Sequence, residues 1–230
     1  MSNNLPQHIA IIPDGNRRWA AMHQLPTLQG HQAGAERMHA VVSQLITRKI
    51  KYLTLWGFST DNWKRSDDEV TAVFGLLEAW IRKYASWVHS QDVRLRHIGR
   101  LWELPPSLQL TIQAAIELTK GNTGMTLSVA FNYTGRAEII DAVRQIINRG
   151  INAQALDETL FSHYLSTDGI PDVDLVIRTA GEIRLSNFLL WQTAYSELFF
   201  SQLLWPDFDA IELERALQAY SERRRRFGGD

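Results

Sequence analysis

"HIAIIPDGNRRWA", residues 8–20, decides how the rest of the chain is read. Residues 9–12 form a short unbroken apolar run, as expected of a strand buried on both faces. It breaks at once into Pro13, Asp14, Gly15, Asn16, Arg17 and Arg18. A strand buried on both faces belongs to a parallel sheet covered by helices, and such sheets keep their ligands outside the carboxyl ends of the strands. Asp14 and the two arginines therefore stand where chemistry is expected.

The surrounding sequence repeats the pattern. Strands are predicted over residues 8–12, 52–58, 93–98, 125–131, 175–178 and 197–201, with helical stretches between them. Met38, Val41, Val42, Leu45 and Ile46 mark one apolar helix stripe, and Ile139, Ile140, Val143, Ile146 and Ile147 mark another, stopped by Gly150. Ser66 with Glu69 reads as a capping box opening a long helix, whose apolar side carries Val70, Val73, Phe74, Leu77, Trp80, Ile81 and Tyr84. The fold class is α/β: one domain over residues 1–230, a mostly parallel six-stranded sheet flanked by helices.

Bulk composition excludes several functions. The 230 residues carry a net charge of −1, so no global field recruits nucleic acid or an anionic membrane. There is no cysteine, hence no disulfide and no thiolate metal site. Residues 1–7, "MSNNLPQ", show no signal-peptide pattern, and no apolar run reaches the ~18 residues of a membrane span. A cytoplasmic location is the expectation.

Three strand ends share one chemistry. Asp14 to Arg18 is the first, "GFSTDNWKR" (residues 57–65) the second and "VIRTAGEIRLSN" (176–187) the third. Arg17, Arg18, Arg65, Arg178 and Arg184, with Ser59 and Ser186, offer the bidentate and hydroxyl donors that hold phosphate. Gly15 lets backbone N–H groups approach an anion. A carboxylate beside diphosphates suits Mg²⁺, which takes one or two carboxylates plus substrate oxygens. Taken singly, each feature has a plain reading. Asp-Gly-Asn is a turn, Arg17-Arg18 a solvated pair, His31 a helix-start residue, and Trp56, Trp63, Trp80, Trp87 and Trp191 core. "RRRR" at 223–226 is an exposed helix end or a nucleic-acid patch, the latter without interleaved aromatics. Their co-occurrence at three strand ends favours a phosphate site.

These stretches, with "FNYTGRAEI", "DLVIRTAGEIRLSNFLLWQTAYSELFF", "LWPDF" and "RRRRFGG", occur in the order of the cis-prenyltransferases, the undecaprenyl diphosphate synthase family, which the chain resembles over essentially its whole length. The resemblance implies condensation of isopentenyl diphosphate with an allylic diphosphate, loss of the allylic diphosphate group, and proton departure to leave a cis double bond. It implies Asp14 as the essential carboxylate, with Gly15, Asn16, Arg17, Arg18, Trp19 and His31 around the allylic diphosphate. Ser59, Thr60 and Asp61 would line the same pocket, with Asn62 at the reacting centre flanked by Trp63 and Arg65. Arg178, Arg184, Leu185 and Ser186 would hold isopentenyl diphosphate, and Mg²⁺ would be held by Asp14 and Glu197. An amide is a poor base, so Asn62 is read as positioning the proton transfer. The resemblance further implies a homodimer through the C-terminal "RFGG", peripheral membrane contact for product release, and an apolar tunnel walled by the helix after Ser66.

The chain departs from the family pattern at Thr27, where an arginine often stands, and at Pro13, Arg17, Ala180 and Ile183. These departures bear on diphosphate and metal contacts and leave room for a short-chain or irregular condensation. Asp67-Asp68-Glu69-Val70 is not the D-D-x-x-D motif of trans-prenyltransferases, and no G-x-x-x-x-G-K-[ST] loop is present. A non-catalytic partner subunit of a two-component enzyme would lack the Asp of the first motif; Asp14 and Asn62 are both here.

Overall fold

All five residues of β1 (His8–Ile12) are buried, a state open only to a strand with neighbours on both edges and layers on both faces. The computed structural model, which describes residues 5–223, places β1 at the centre of a six-stranded sheet. With β2 (Tyr52–Phe58), β3 (Arg94–Ile98), β4 (Thr126–Phe131), β5 (Leu175–Arg178) and β6 (Glu197–Phe200), the order is β3-β4-β2-β1-β5-β6, and every neighbouring pair is parallel. The predicted strands hold to within one residue at each end. The arginine run beyond Arg223 and the "RFGG" stretch lie outside the described residues.

Side-chain alternation along β1 divides the core. Ile9 and Ile11 join the larger cluster with Leu53, Leu55, Leu175 and Ile177, under Val41, Val42 and Leu45 of α2 (Thr27–Thr47) and Trp80 and Ile81 of α3 (Asp67–Ser90). Ala10 and Ile12 face the other way, against Val176, Phe188 and Leu189. The chain leaves β1 towards β2 but leaves β5 towards β6. This reversal of direction opens a crevice at the carboxyl ends of β1 and β5, the switch point of the sheet.

Two glycines bring the first helix close. Short α1 (Asn16–Met22) packs on α2, where a Cβ added at Gly30 would lie 2.2 Å from the Asn16 carbonyl oxygen and one at Gly34 would lie 2.4 Å from Asn16 Oδ1. Ala is a better helix former than Gly by ~1 kcal/mol, yet backbone oxygen cannot yield to a methyl group. Gly30→Ala is expected to destabilise the chain by roughly 1–3 kcal/mol of overpacking, read as a lowered urea midpoint. An unchanged or raised midpoint would show that α1 moves freely on α2.

One expected stripe is displaced. On α5 (Gly135–Asn148) the buried face holds Glu138, Ala142 and Ile146, while Ile140, Val143 and Ile147 are exposed. The buried Glu138 carboxylate accepts hydrogen bonds from Tyr133 Oη at 2.6 Å, Ser166 N at 3.0 Å and Gln192 Nε2 at 3.1 Å. With Ser166 Oγ as a fourth donor, the carboxylate turns inward without the usual penalty, and Ile140, Val143 and Ile147 turn outward with it.

Candidate active site

Asp14 lies just past the end of β1 and is pinned to the strand end of β5. Its N–H donates to Thr179 Oγ1 at 2.8 Å, and that hydroxyl donates back to the Asp14 carbonyl at 2.7 Å. Gly15 follows with φ 108°, and a Cβ there would meet Leu204 Cδ2 at 2.8 Å, so only glycine makes this turn without strain. The Asp14 carboxylate reaches Arg178 Nη2 through Oδ2 at 2.9 Å and lies 3.6 Å from Arg18 Nη2 through Oδ1. Arg178 is 3% exposed; its Nη1 donates to the Arg184 carbonyl and to Ser186 Oγ at 2.7 Å. Arg178 is a buried strut that joins Asp14 to the loop of residues 184–186.

Two further charge groups ring the crevice. Arg18 Nη2 is shared between Asp14 and Glu182 Oε1, the latter at 3.3 Å, and Glu182 also pairs with Arg184. On the other side, Glu69 Oε1 is approached by Arg65 at 3.1 Å, His31 Nε2 at 3.9 Å and Arg17 at 4.0 Å. Burial lowers the His31 pKa, the Arg65 charge lowers it further, and Glu69 opposes both.

The turn after β2 is built around Asn62. The Ser59 N–H donates to Asn62 Oδ1 at 3.0 Å while the Asp61 N–H donates to Ser59 Oγ at 3.1 Å, a capping box over Thr60–Lys64. With its oxygen committed to Ser59, the Asn62 amide presents its NH₂ group as a donor. The box expected at Ser66 is half formed. Ser66 Oγ accepts from Glu69 N at 3.4 Å, but the Glu69 side chain turns to Arg65 instead.

Below this mouth lies a cavity of about 690 Å³. Its upper lining includes Pro13, Asp14 to Arg18, Thr27, His31, Asn62 and Arg65; its lower lining is apolar, with Met38, Trp56, Phe58, Leu77, Trp80, Val129 and Phe131. A separate hollow of about 40 Å³, between Ile81, Leu95, Ile112 and Ile116, shares Leu77, Trp80, Val129 and Phe131 with it. Of the aromatics considered in the sequence, Trp80 faces the cavity; Trp56 borders it but packs against the opposite core cluster, Phe74 packs on Phe58 and Trp63, and Trp87 on His39.

Several expected site residues are directed elsewhere. The Trp19 indole donates to Asp207 Oδ1 at 2.8 Å and stacks on His23. Trp63 donates to Asn132 Oδ1 at 2.8 Å and Thr60 to Thr134 Oγ1 at 3.2 Å, which ties the turn to the segment just after β4, while Asp61 pairs with Lys64 inside the turn. Leu185, partly buried, packs against the second core cluster. Glu197 opens β6 in register with Leu175, three residues short of the level of Arg178 and thus roughly 10 Å down the strand. Its carboxylate pairs with Arg223, so one chain does not bring Glu197 to Asp14. Sequence reasoning missed Glu182, Thr179 and the ion-pair role of Glu69. Glu182 lay within a quoted stretch; the only signal at Glu69 pointed to helix capping.

Among the described residues no three His, Asp or Glu side chains cluster as a preformed metal cage. The donor set nevertheless fits Mg²⁺, an ion that keeps several waters and needs one or two carboxylates beside substrate oxygens. Asp14 and Glu182 reach the same Arg18 nitrogen at the cavity mouth.

A ring of arginines and carboxylates above an apolar cavity, at the carboxyl edge of a parallel sheet, suits a ligand with an anionic head and an apolar tail. The family model described as "Putative undecaprenyl diphosphate synthase" matches residues 12–228. The isoprenyl transferase of Thermotoga maritima is 48% identical over 98% of this chain and 97% of its own, and that of Clostridium perfringens is 45% identical over 100% and 92%. Lavandulyl diphosphate synthase from Lavandula x intermedia, solved with dimethylallyl diphosphate, superposes with a TM-score of 0.94 at 38% identity, covering 97% of this chain and 98% of its own. A probable undecaprenyl diphosphate synthase from Campylobacter jejuni gives 0.83 at 33%, covering 98% and 99%. The chain belongs to the cis-prenyltransferase (undecaprenyl diphosphate synthase) family and is a prenyltransferase.

Proposed function

We propose that the chain condenses isopentenyl diphosphate with an allylic diphosphate in a Mg²⁺-dependent reaction centred on Asp14, within one catalytic domain spanning residues 1–230. The observation that carries this is the convergence of Asp14 with Arg178, Arg18 and Glu182 at the mouth of the apolar cavity. Arg17, Arg18, His31 and Arg65, with the backbone of Gly15 and Asn16, face the allylic diphosphate. Arg184 and Ser186, positioned by Arg178, face isopentenyl diphosphate. The bound metal supplies charge neutralisation of the departing diphosphate, and Asp14 is the residue to hold it, with Glu182 near enough to assist. Charge that develops on the leaving group meets these preset donors in the transition state, where they lower the barrier most. The Asn62 NH₂ group donates to a diphosphate oxygen, and the proton lost by isopentenyl diphosphate passes to diphosphate rather than to the amide, whose oxygen is already engaged.

The cavity beneath accepts the growing chain. Each five-carbon unit buried there is worth roughly 4 kcal/mol at about 0.8 kcal/mol per methylene. Farnesyl diphosphate as primer and a long Z-polyprenyl diphosphate as product, such as undecaprenyl diphosphate, are the family reading. A short or irregular product is the second reading, favoured by the aromatic floor of Trp80 and Phe131. A homodimer is also proposed, supported by the exposed Ile140, Val143 and Ile147 stripe. The location proposed is cytoplasmic, with peripheral membrane contact at release; no helix among the described residues is long and apolar enough to cross a membrane.

Incubation with radiolabelled isopentenyl diphosphate and dimethylallyl, geranyl or farnesyl diphosphate tests this directly. Incorporation into a butanol-extractable product is expected with at least one primer, falling at least a hundredfold with EDTA and returning with Mg²⁺. Failure to incorporate label with any primer would refute the catalytic reading and favour a partner subunit.

A further inference from the structure

Glu69 occupies a place that the proposed chemistry leaves unassigned. It sits in the first turn of α3, with a side chain only 18% exposed. Two guanidinium groups and a histidine, from three different elements, converge on one of its oxygens. Arg17 comes from α1, His31 from α2, and Arg65 from the turn before α3. All three line the cavity mouth, and His31 Nε2 is buried without a hydrogen-bond partner. Arg65 donates to this oxygen at 3.1 Å, and Arg17 and His31 stand within 4.0 Å of it; a phosphate oxygen suits the same cluster, because guanidinium groups take carboxylate and phosphate oxygens in the same geometry.

We propose that Glu69 is a placeholder for diphosphate: its carboxylate gathers Arg17, His31 and Arg65 at the mouth, and an incoming diphosphate displaces it from the same groups. The inference rests on the mouth being the diphosphate cradle. Its physical logic has two parts. Without a local anion, the two guanidinium groups repel one another and lose their common aim. With Glu69 present, every diphosphate that binds must first break these ion pairs, so its net affinity is lowered. A transferase that leaves inorganic diphosphate behind in each cycle benefits from a cradle that is preset but not too tight. The same device recurs on the opposite rim, where Glu182 lies between Arg18 and Arg184. A further consequence is mechanical. Val73, Leu77 and Trp80 of α3 line the cavity one to three turns beyond Glu69, so displacing Glu69 releases the N-terminal end of the helix that walls the chain's pocket.

Titration calorimetry of the full chain with inorganic pyrophosphate, without metal and at low salt, distinguishes this from a purely structural role. Glu69→Gln keeps an oxygen for Arg65 but removes the charge, and is expected to bind pyrophosphate about tenfold more tightly, at the lower end of what one unit charge about 4 Å away contributes near a protein surface. Glu69→Asp keeps the charge and is expected within about threefold of the wild type. In steady state Glu69→Gln should lower KM for the allylic diphosphate and lower kcat together, the mark of slowed release. A thermal midpoint near the wild-type value confirms that Glu69→Gln is folded, and Glu69→Ala serves as the second variant. If wild-type chain binds pyrophosphate but neither Glu69→Gln nor Glu69→Ala binds it more tightly, the placeholder is overturned and the cradle stands. If wild-type chain binds no pyrophosphate, the cradle itself is overturned, and the placeholder with it.

Discussion

Replacing Asp14 by asparagine lowers turnover about a thousandfold or more, the expected result if this carboxylate meets the charge that moves during diphosphate departure. A thousandfold corresponds to about 4 kcal/mol of lost transition-state stabilisation. The magnitude follows from the position of the group. Asp14 faces the cavity on one side and the almost fully buried Arg178 on the other, at 2.9 Å. Asparagine preserves the shape and one acceptor for Arg178 but removes the charge that balances it and that would hold a divalent cation. A buried guanidinium left without its counter-charge costs up to ~3–5 kcal/mol of folding stability. Because the Asp14 side chain is 29% exposed, the expected cost is nearer the lower end. Two measurements separate these effects. Single-turnover incorporation of labelled isopentenyl diphosphate reports the chemical step, and urea denaturation reports the fold. Full turnover by a folded Asp14→Asn chain would remove Asp14 from the chemistry and leave it a structural partner of Arg178.

The second large effect is expected at the cavity floor. Phe131 is 2% exposed, its ring centroid 5.2 Å from that of Phe58 and 5.7 Å from that of Phe74. With Leu77, Trp80 and Val129 it borders both the 690 Å³ cavity and the 40 Å³ hollow beyond. Phe131→Ala joins the two spaces. Deleting a buried phenyl ring costs about 3–5 kcal/mol of stability, while an added five-carbon unit of product gains roughly 4 kcal/mol by occupying the space. The products, dephosphorylated and resolved by reversed-phase chromatography, should therefore lengthen by at least one unit. An unaltered product distribution from a folded Phe131→Ala chain would place the limit on chain growth elsewhere.

Most of the backbone was legible in the sequence, for local reasons. The apolar run at residues 9–12 and the polar break at Pro13 encode a buried strand and its end, and the strand is found over His8–Ile12. The long helix after Ser66 also runs as its spacing implies. The error on α5 has a physical cause. Periodicity counts apolar residues, and it took Ile140 and Ile147 for the core side. The inward face was decided by Glu138, a charged residue whose burial depends on Tyr133, Ser166 and Gln192. Tryptophan was legible only as a bulky aromatic. That Trp19 turns to Asp207, 188 residues away, and Trp63 to Asn132, 69 residues away, depends on hydrogen-bond partners that no local pattern names.

The sequence by itself determined the class of fold, the family and the strand ends at which the arginines stand, because strand burial and turn formation depend on residues a few positions apart. Only the tertiary structure decided which charges meet. Asp14 and Arg178 stand 164 residues apart and touch because the sheet order sets β1 beside β5. Glu197 has the right chemistry for a metal but the wrong level on its strand, whereas Glu182 and Glu69 reach the cations of the mouth. Several carboxylates compete for the same few arginines, and the winner is settled by distances of a few ångströms, a quantity set by packing across the whole domain.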